Sequence, residues 1–273
     1  MRVLVVNAGS SSLKLRMLDG DEVAGSRDLT IPGGHLEQEA VAEAIKGLGG
    51  ADAVAHRIVH GGTAFSQAVV IDERVRRQLN SLVDLAPLHQ PKSLAALDAV
   101  SEVLPDTTPV GCFDTAFHAT IPDAASTYAI PAPWRRRWTL RRYGFHGLSH
   151  AYVSHRAAEF LGRDPTGLRV VTCHLGAGAS LAAVRDGRSV DTTMGFTPLE
   201  GLVMATRSGT VDPGLVLWLE EHVGTPPAEL AATLEHRSGL LGLAGTADMR
   251  EVLARAAAGD QAATLGRDVY IHR

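Results

Sequence analysis

The run Asn7-Ala8-Gly9-Ser10-Ser11-Ser12-Leu13-Lys14 gathers an amide, three hydroxyls and an ammonium at one turn. Such donors suit phosphate oxygens, because hydrogen bonds to an anion are the stronger kind. The spacing is not GxxxxGK(S/T), so the nucleotide fold built on that loop is not indicated. Lys14 is also conspicuous by scarcity. Only Lys14, Lys46 and Lys92 are lysines among the 26 cationic residues, so an arginine must be judged by its place rather than its type.

Four further segments carry chemistry. HRIVHGG sets His56, Arg57 and His60 on a short strand, with His56, Ile58 and His60 on one face and Arg57 and Val59 on the other. An arginine at a buried strand end wants a carboxylate or phosphate, since guanidinium cannot shed its charge. FDTAFH delivers Asp114 at the C-terminal end of an apolar run, where parallel-sheet enzymes hold ligands. YGFHGLSH spaces His146 and His150 four apart, but with no HExxH and no adjacent cysteine or acid, zinc is not expected. MGFTPLEGLVMATRSGTVDPG presents Glu200, Arg207 and Asp212 among turn residues, the composition of an ordered active-site loop.

The elements that must position these residues follow from periodicity. Val3–Val6 and Leu13–Leu18 alternate as strands, and Asp19-Gly20 marks the next hairpin turn. Residues 36–48, 73–85, 93–104, 149–161, 213–223, 227–236 and 246–258 have helical spacing, as has a last segment from Gln261. Residues 53–62 and 109–113 read as buried strands, and 115–143, with the basic run RRRWTLRR, as an irregular solvated loop. Residues 169–187 repeat the opening at an offset of 167. Arg2, Val3, Gly9, Asp19 and Gly20 recur as Arg169, Val170, Gly176, Asp186 and Gly187. Two lobes that each open with the same hairpin are the expected result, with turn N–H groups arranged for a polyanion.

Composition narrows the class. With 273 residues, 45% hydrophobic and 21% charged, the chain is a globular protein of two-domain length. A net charge of -4 argues against a nucleic-acid binder. The opening apolar run lacks a cleavage pattern and no stretch approaches the ~20 residues of a membrane span, so a soluble, cytoplasmic protein is expected. Cys112 and Cys173, both inside apolar runs, read as small buried hydrophobes.

The segments VLVVNAGSSSLK, AHRIVHGG, DLAPLHQP, CFDTAFHATIP, RYGFHGLSH, CHLGAGAS, DTTMGFTPLEGL and TRSGTVDPG occur in the order found in acetate kinases, and the chain resembles that family throughout. The resemblance implies an α/β fold of two duplicated lobes, of the actin-like ATPase (ribonuclease H-like) type, with a cleft between them. The lobes would be residues 1–117 and 118–273. It implies reversible phosphoryl transfer from ATP to acetate with Mg²⁺, Mn²⁺ serving as a substitute, in a cytosolic homodimer. Asn7, Ser10, Ser12 and Lys14, with His174, Leu175, Gly176, Ala177 and Gly178, would bind nucleotide phosphates. Arg57 and Arg207 would bind the acyl phosphate and the migrating group. Asp114 would be catalytic and, with Asn7, would hold the metal. His146 would stabilise the transition state with Arg207, and His89 also falls at an active-site position. Val59, Leu88, Phe145 and Pro198 would wall the acyl methyl.

The departures are Ala177-Gly178-Ala179-Ser180 in place of Asn-Gly-Ser-Ser, Gln90 in place of Asn, and Thr210 in place of an acid. The glycine-rich adenosine motif and its following Glu are not among the 273 residues, so a C-terminal segment is expected to be missing. On that expectation this chain alone binds ATP weakly. A kinase for propionate or another short-chain acid, or a non-catalytic remnant, are the alternatives.

Overall fold

Alternating apolar residues pair β1 (Arg2–Ala8), β2 (Ser12–Asp19) and β3 (Glu22–Thr30) as an antiparallel meander. Leu4 and Val6 of β1 and Leu13, Leu15 and Met17 of β2 all turn to the buried face. In this computed structural model, residues 1–9, 12–31, 36–87 and 89–273 are described, and Ser10 and Leu88 lie outside them. The described chain forms two units, Met1–Ala119 with His146–Leu148, and Thr120–Phe145 with Ser149–Arg273.

In the first unit, β4 (Ala53–Ile58) and β6 (Thr108–Phe113) extend the meander in parallel with β1, and β5 (Val69–Val70) closes the far edge. The sheet order is β3-β2-β1-β4-β6-β5. Helices α1 (Gln38–Lys46), α2 (Glu73–Asn80) and α3 (Gln90–Val103) supply the apolar cover. Val41, Ile45, Ala96 and Val100 meet the β1–β2–β4 side chains. Leu79, Leu94 and Leu97 pack with Ile58 and Phe113, whose ring stacks on Phe65 at 5.0 Å.

The second unit repeats the opening. Strands β7 (Arg169–Leu175), β8 (Ala179–Arg185) and β9 (Arg188–Thr192) form an antiparallel sheet. Asp186 and Gly187 both have positive φ, 55° and 72°, the backbone an Asp-Gly hairpin turn demands. Helix α6 (Gly147–Phe160), in this unit from Ser149 onward, precedes this sheet, and α7 (Pro213–Trp218), α8 (Pro227–His236), α9 (Gly239–Ala244), α10 (Met249–Ala257) and α11 (Gln261–His272) follow it. Among the described residues no helix is long and apolar enough to cross a membrane.

Three expectations are corrected. Helix α3 starts at Gln90 rather than Ser93, because Pro91 sits in the first turn, where its missing N–H goes unneeded. The basic stretch is partly helical, as α4 (Asp123–Ser126) and α5 (Ala132–Trp138), with Pro133 again in a first turn. Cys173 is exposed, on the face of β7 it shares with exposed Val171 and Leu175, and Cys112 is only half-buried. The division into compact units places His146–Leu148 with the first unit. There the Gly147 N–H donates 2.8 Å to the Asp114 carbonyl.

His56 and His60 are buried polar groups in this core, 2% and 0% exposed. Among the described residues, both ring nitrogens of His56 are without hydrogen-bond partners. Burial pushes the His56 imidazole down to about 4, with attraction to Asp98 offsetting only part of that. Burial alone brings His60 to about 4. Each ring therefore takes a proton more readily in the unfolded chain, whose value lies near 6.5. Stability is complete above pH 6.5 and falls as the pH drops toward 4, by on the order of 3 kcal/mol per ring. Urea unfolding of His56→Leu between pH 7.5 and 4.5 is expected to show a shallower pH slope than the parent protein. An unchanged slope contradicts the assignment.

Candidate active site

Parallel pairing brings the ends of β1, β4 and β6 to one edge of the first sheet. Across it, Asn7 lies opposite Lys14, Val6 opposite His56, and Arg57 opposite Cys112. Pleating turns Asn7 and Arg57 to the face away from the α1–α3 core. There Arg57 Nη1 donates to Asn7 Oδ1 at 2.9 Å. Its Nε reaches Asp114 Oδ1 and Oδ2 at 3.1 and 3.2 Å, and its Nη2 donates to Oδ2 at 2.5 Å. The Asp114 side chain is 1% exposed and that of Arg57 29%. Burial pulls the guanidinium down, but the Asp114 charge and hydrogen bonds outweigh it and set Arg57 above its ordinary value. The arginine is thus fixed by a fork from one side and an amide from the other, with part of its surface open. Lys14 is exposed on the neighbouring strand, and Ser12 receives the Gly9 N–H on its carbonyl oxygen at 2.7 Å.

The same edge is braced from behind. Gln90 is fully buried, accepting from the His60 N–H at 3.2 Å and donating to the His60 carbonyl at 3.1 Å. Thr115 Oγ1 takes the Gly61 N–H at 3.0 Å. Val59, directly ahead of these anchored residues, is 7% exposed. His146 has a positive φ of 56°, rare outside glycine, and directly precedes the Gly147 that bonds Asp114. A Cβ on Gly147 would fall 2.2 Å from the Asp114 carbonyl oxygen and 2.9 Å from Phe117 Cβ. Only glycine lets the chain pass there.

In the second unit, Arg207 is 19% exposed, 3.6 Å from Glu235, and donates to the Pro198 carbonyl at 3.4 Å. Burial lowers its pKa, with Glu235 opposing. His174 Nδ1 lies 2.9 Å from Ser149 Oγ. Its ring meets that of His150 edge-on at 6.4 Å, and His150 is held between Thr172 and Ser180 hydroxyls at 2.8 Å each. Leu175, Gly176 and Ala177 form an exposed turn closed by the Gly176 N–H on the Gly178 carbonyl at 3.0 Å. Phe145 is 1% exposed, and Pro198 rides on a loop described below. Val59 belongs to the first unit, Phe145 and Pro198 to the second.

The structure thus gathers Asn7, Arg57 and Asp114 into one constellation, with Lys14 on the adjoining strand. It adds three participants that residue type and spacing did not single out as partners: Gln90, Thr115 and Gly147. Of these only Gln90 left a trace in the sequence, as a departure in the LHQP segment. Among the described residues no three His, Cys, Asp or Glu side chains cluster for a metal. A magnesium ion takes one or two protein carboxylates and keeps water and phosphate oxygens for the rest, a demand that the single buried carboxylate of Asp114 can meet. Asp114 Oδ1 accepts from Arg57 Nε at 3.1 Å while Oδ2 takes the closer Nη2, which makes Oδ1 the oxygen better able to serve an ion.

A duplicated α/β chain with a polar constellation at strand ends defines a phosphotransferase-like architecture, and the comparisons narrow it. The sequence profile of the Acetokinase family matches residues 29–273, and the chain belongs to that family. Acetate kinase of Carboxydothermus hydrogenoformans is 41% identical over 307 aligned residues, covering all of this chain and 77% of that protein. The aligned span is longer than the chain, so the relative carries residues within it that this chain lacks. The crystal structure of Porphyromonas gingivalis acetate kinase superposes with a TM-score of 0.89 at 37% identity, over all of this chain and 77% of that one. A propionate kinase from Francisella tularensis gives a TM-score of 0.89 at 35% identity with the same coverage.

Gly147→Ala is expected to lower stability by about 1–3 kcal/mol, the usual cost of forcing a methyl into packed structure. Gly50, with no atom within 4 Å of a built Cβ, is the control. Thermal unfolding of the two alanine variants reads the difference, and equal melting temperatures contradict it.

Proposed function

We propose that this protein transfers a phosphoryl group reversibly between ATP and acetate, giving acetyl phosphate and ADP. The observation that carries the reading is the Asn7–Arg57–Asp114 constellation at the strand ends of an Acetokinase family chain. A carboxylate is already a nucleophile, so the reaction needs no strong base. Its demand is to bring two anions together and to spread charge as the phosphoryl moves.

The residues divide that work. Asn7, Ser10, Ser12 and Lys14 take nucleotide phosphate oxygens, as do His174 and the turn Leu175-Gly176-Ala177-Gly178. Ala177 and Ala179 supply no side-chain donors, so the turn contributes backbone N–H groups alone. Arg57 holds the acyl phosphate, its fork geometry already set by Asp114. Arg207 and His146 stabilise charge on the transferring group, and Asp114 with Asn7 holds Mg²⁺, for which Mn²⁺ substitutes. When bound, that ion neutralises phosphate charge and orients the γ-phosphoryl group. Val59, Leu88, Phe145 and Pro198 wall the methyl of acetate. The working protein is a homodimer in the cytoplasm.

A propionate kinase is the second reading, favoured by the match to the Francisella tularensis enzyme, which equals that to the acetate kinase in TM-score. One methylene changes binding in an apolar slot by only about 1–3 kcal/mol, so both acids are turned over and their ratio decides the name.

Trapping of the acyl phosphate with hydroxylamine, in the presence of ATP, Mg²⁺ and each acid, tests the reaction directly. Acetate is expected to give product, and Arg207→Ala to cut kcat by on the order of 10²–10³-fold while remaining folded. Near-normal turnover in folded Arg207→Ala overturns its role. Val59→Ala is expected to raise kcat/KM for propionate and butyrate relative to acetate. A ratio unchanged within error makes Val59 simple core.

A further inference from the structure

In the second unit, the segment Gly195-Phe196-Thr197-Pro198-Leu199-Glu200 doubles back so that the last side chain lies beneath the first residue. A Cβ on Gly195 would sit 1.6 Å from Glu200 Oε2 and 2.3 Å from Tyr128 Oη. The Glu200 carboxylate thus lies close under the Gly195 backbone and between two hydrogen-bond donors, with about a third of its side chain open. Tyr128 donates to its Oε2 at 2.5 Å, and Arg142 Nη2 donates to its Oε1 at 2.7 Å. The Arg142 and Glu200 side chains are 18% and 32% exposed, and the guanidinium also lies 5.8 Å from the Tyr128 ring centre. Burial and the Glu200 carboxylate raise the Tyr128 phenol well above its usual range, so it stays a donor at any working pH.

Each partner also grips the loop backbone. Tyr128 Oη accepts from the Phe196 N–H at 2.9 Å. Arg142 Nη1 donates to the carbonyls of Thr192, Thr193 and Met194 at 3.2, 3.2 and 2.9 Å. The Gly195 carbonyl in turn receives the N–H groups of Tyr143 and Gly144 at 3.0 and 3.1 Å, directly ahead of Phe145. One carboxylate therefore ties together the segment that leads into Phe145 and the loop that carries Pro198.

We infer that Glu200, held by Tyr128 and Arg142, is a positioning residue that sets the acyl-size limit by fixing Phe145 and Pro198 relative to each other. The inference rests on the acyl kinase reading for the roles of Phe145 and Pro198, and on this geometry alone for the clamp. Glu200 acts through the loop it closes.

The test combines two readouts on the intact protein and on Glu200→Ala, Glu200→Gln and Tyr128→Phe. Amide hydrogen exchange follows the Phe196 and Gly144 N–H groups. Protection at both is expected to fall in Glu200→Ala and, at Phe196, in Tyr128→Phe. Glu200→Gln is expected to retain most of it, because its amide oxygen still accepts from Arg142. Unchanged protection in Glu200→Ala overturns the clamp, whatever the kinetics. Steady-state kinetics with acetate, propionate and butyrate reads the consequence. The carboxylic acid KM is expected to rise about tenfold in Glu200→Ala with the ATP KM unchanged, and the preference among the three acids to flatten. Equal rises in both KM values, or a kcat loss with the acid preference intact, overturn the positioning role. Lost protection with no acyl phosphate formed by the parent protein leaves the clamp standing and refutes the kinase reading instead. Should Glu200→Ala fail to fold, Tyr128→Phe carries the same exchange and preference comparison with a smaller change.

Discussion

A guanidinium that cannot release its proton has been placed at the end of a buried strand, and the first unit is arranged around that fact. Arg57 needs Asp114 because burial without a carboxylate would leave a charge uncompensated. Asp114 needs β6 to stop where it does, at the strand end beside β4, and its backbone needs Gly147 to come close. Asn7 completes the fork from β1. Three parallel strands, a loop return and a glycine are thus fixed by one ion pair. The open part of the guanidinium is what remains for an anionic ligand. Orientation is settled before any substrate arrives, which is the condition under which electrostatic stabilisation is most effective.

The second unit meets a similar constraint with different parts. Its meander repeats the first, but its charged groups are held by loops rather than strand ends. Arg207 is suspended between Glu235 and the Pro198 carbonyl, and the loop carrying Pro198 is closed by Glu200. Strand ends give precision through the sheet ladder. Loops must obtain it from buried polar networks, which hold only when every member is satisfied.

Much of this was legible in the sequence, and the reasons are physical. Period-two alternation located β1 and β2, short apolar runs located β4 and β6, and the repeat at an offset of 167 announced the second meander, whose turn carries the same Asp-Gly pair. Arg57 and Asp114 were visible as charged residues at the ends of apolar runs. Their mutual bond was not, since pairing across 57 residues is set by sheet order rather than by local spacing. Tyr128 and Arg142 gave no signal for the same reason: each lies in a Pro- or Arg-rich stretch that reads as a solvated loop. Cys173 misled because an apolar neighbourhood in sequence does not show which face of a strand is covered. The prolines near α3 and α5 misled in the other direction, marking first turns rather than boundaries.

Arg57 and Asp114 form one unit, with neither worth keeping alone. A double-mutant cycle on Arg57→Ala and Asp114→Ala, read by urea unfolding at pH 7, measures this directly. The predicted result is that each single change costs more than the pair together, with a coupling of about 2–3 kcal/mol, the lower side of what a buried pair gives because Arg57 is partly exposed. Single-variant losses that add to the double-variant loss within about 0.5 kcal/mol would contradict it.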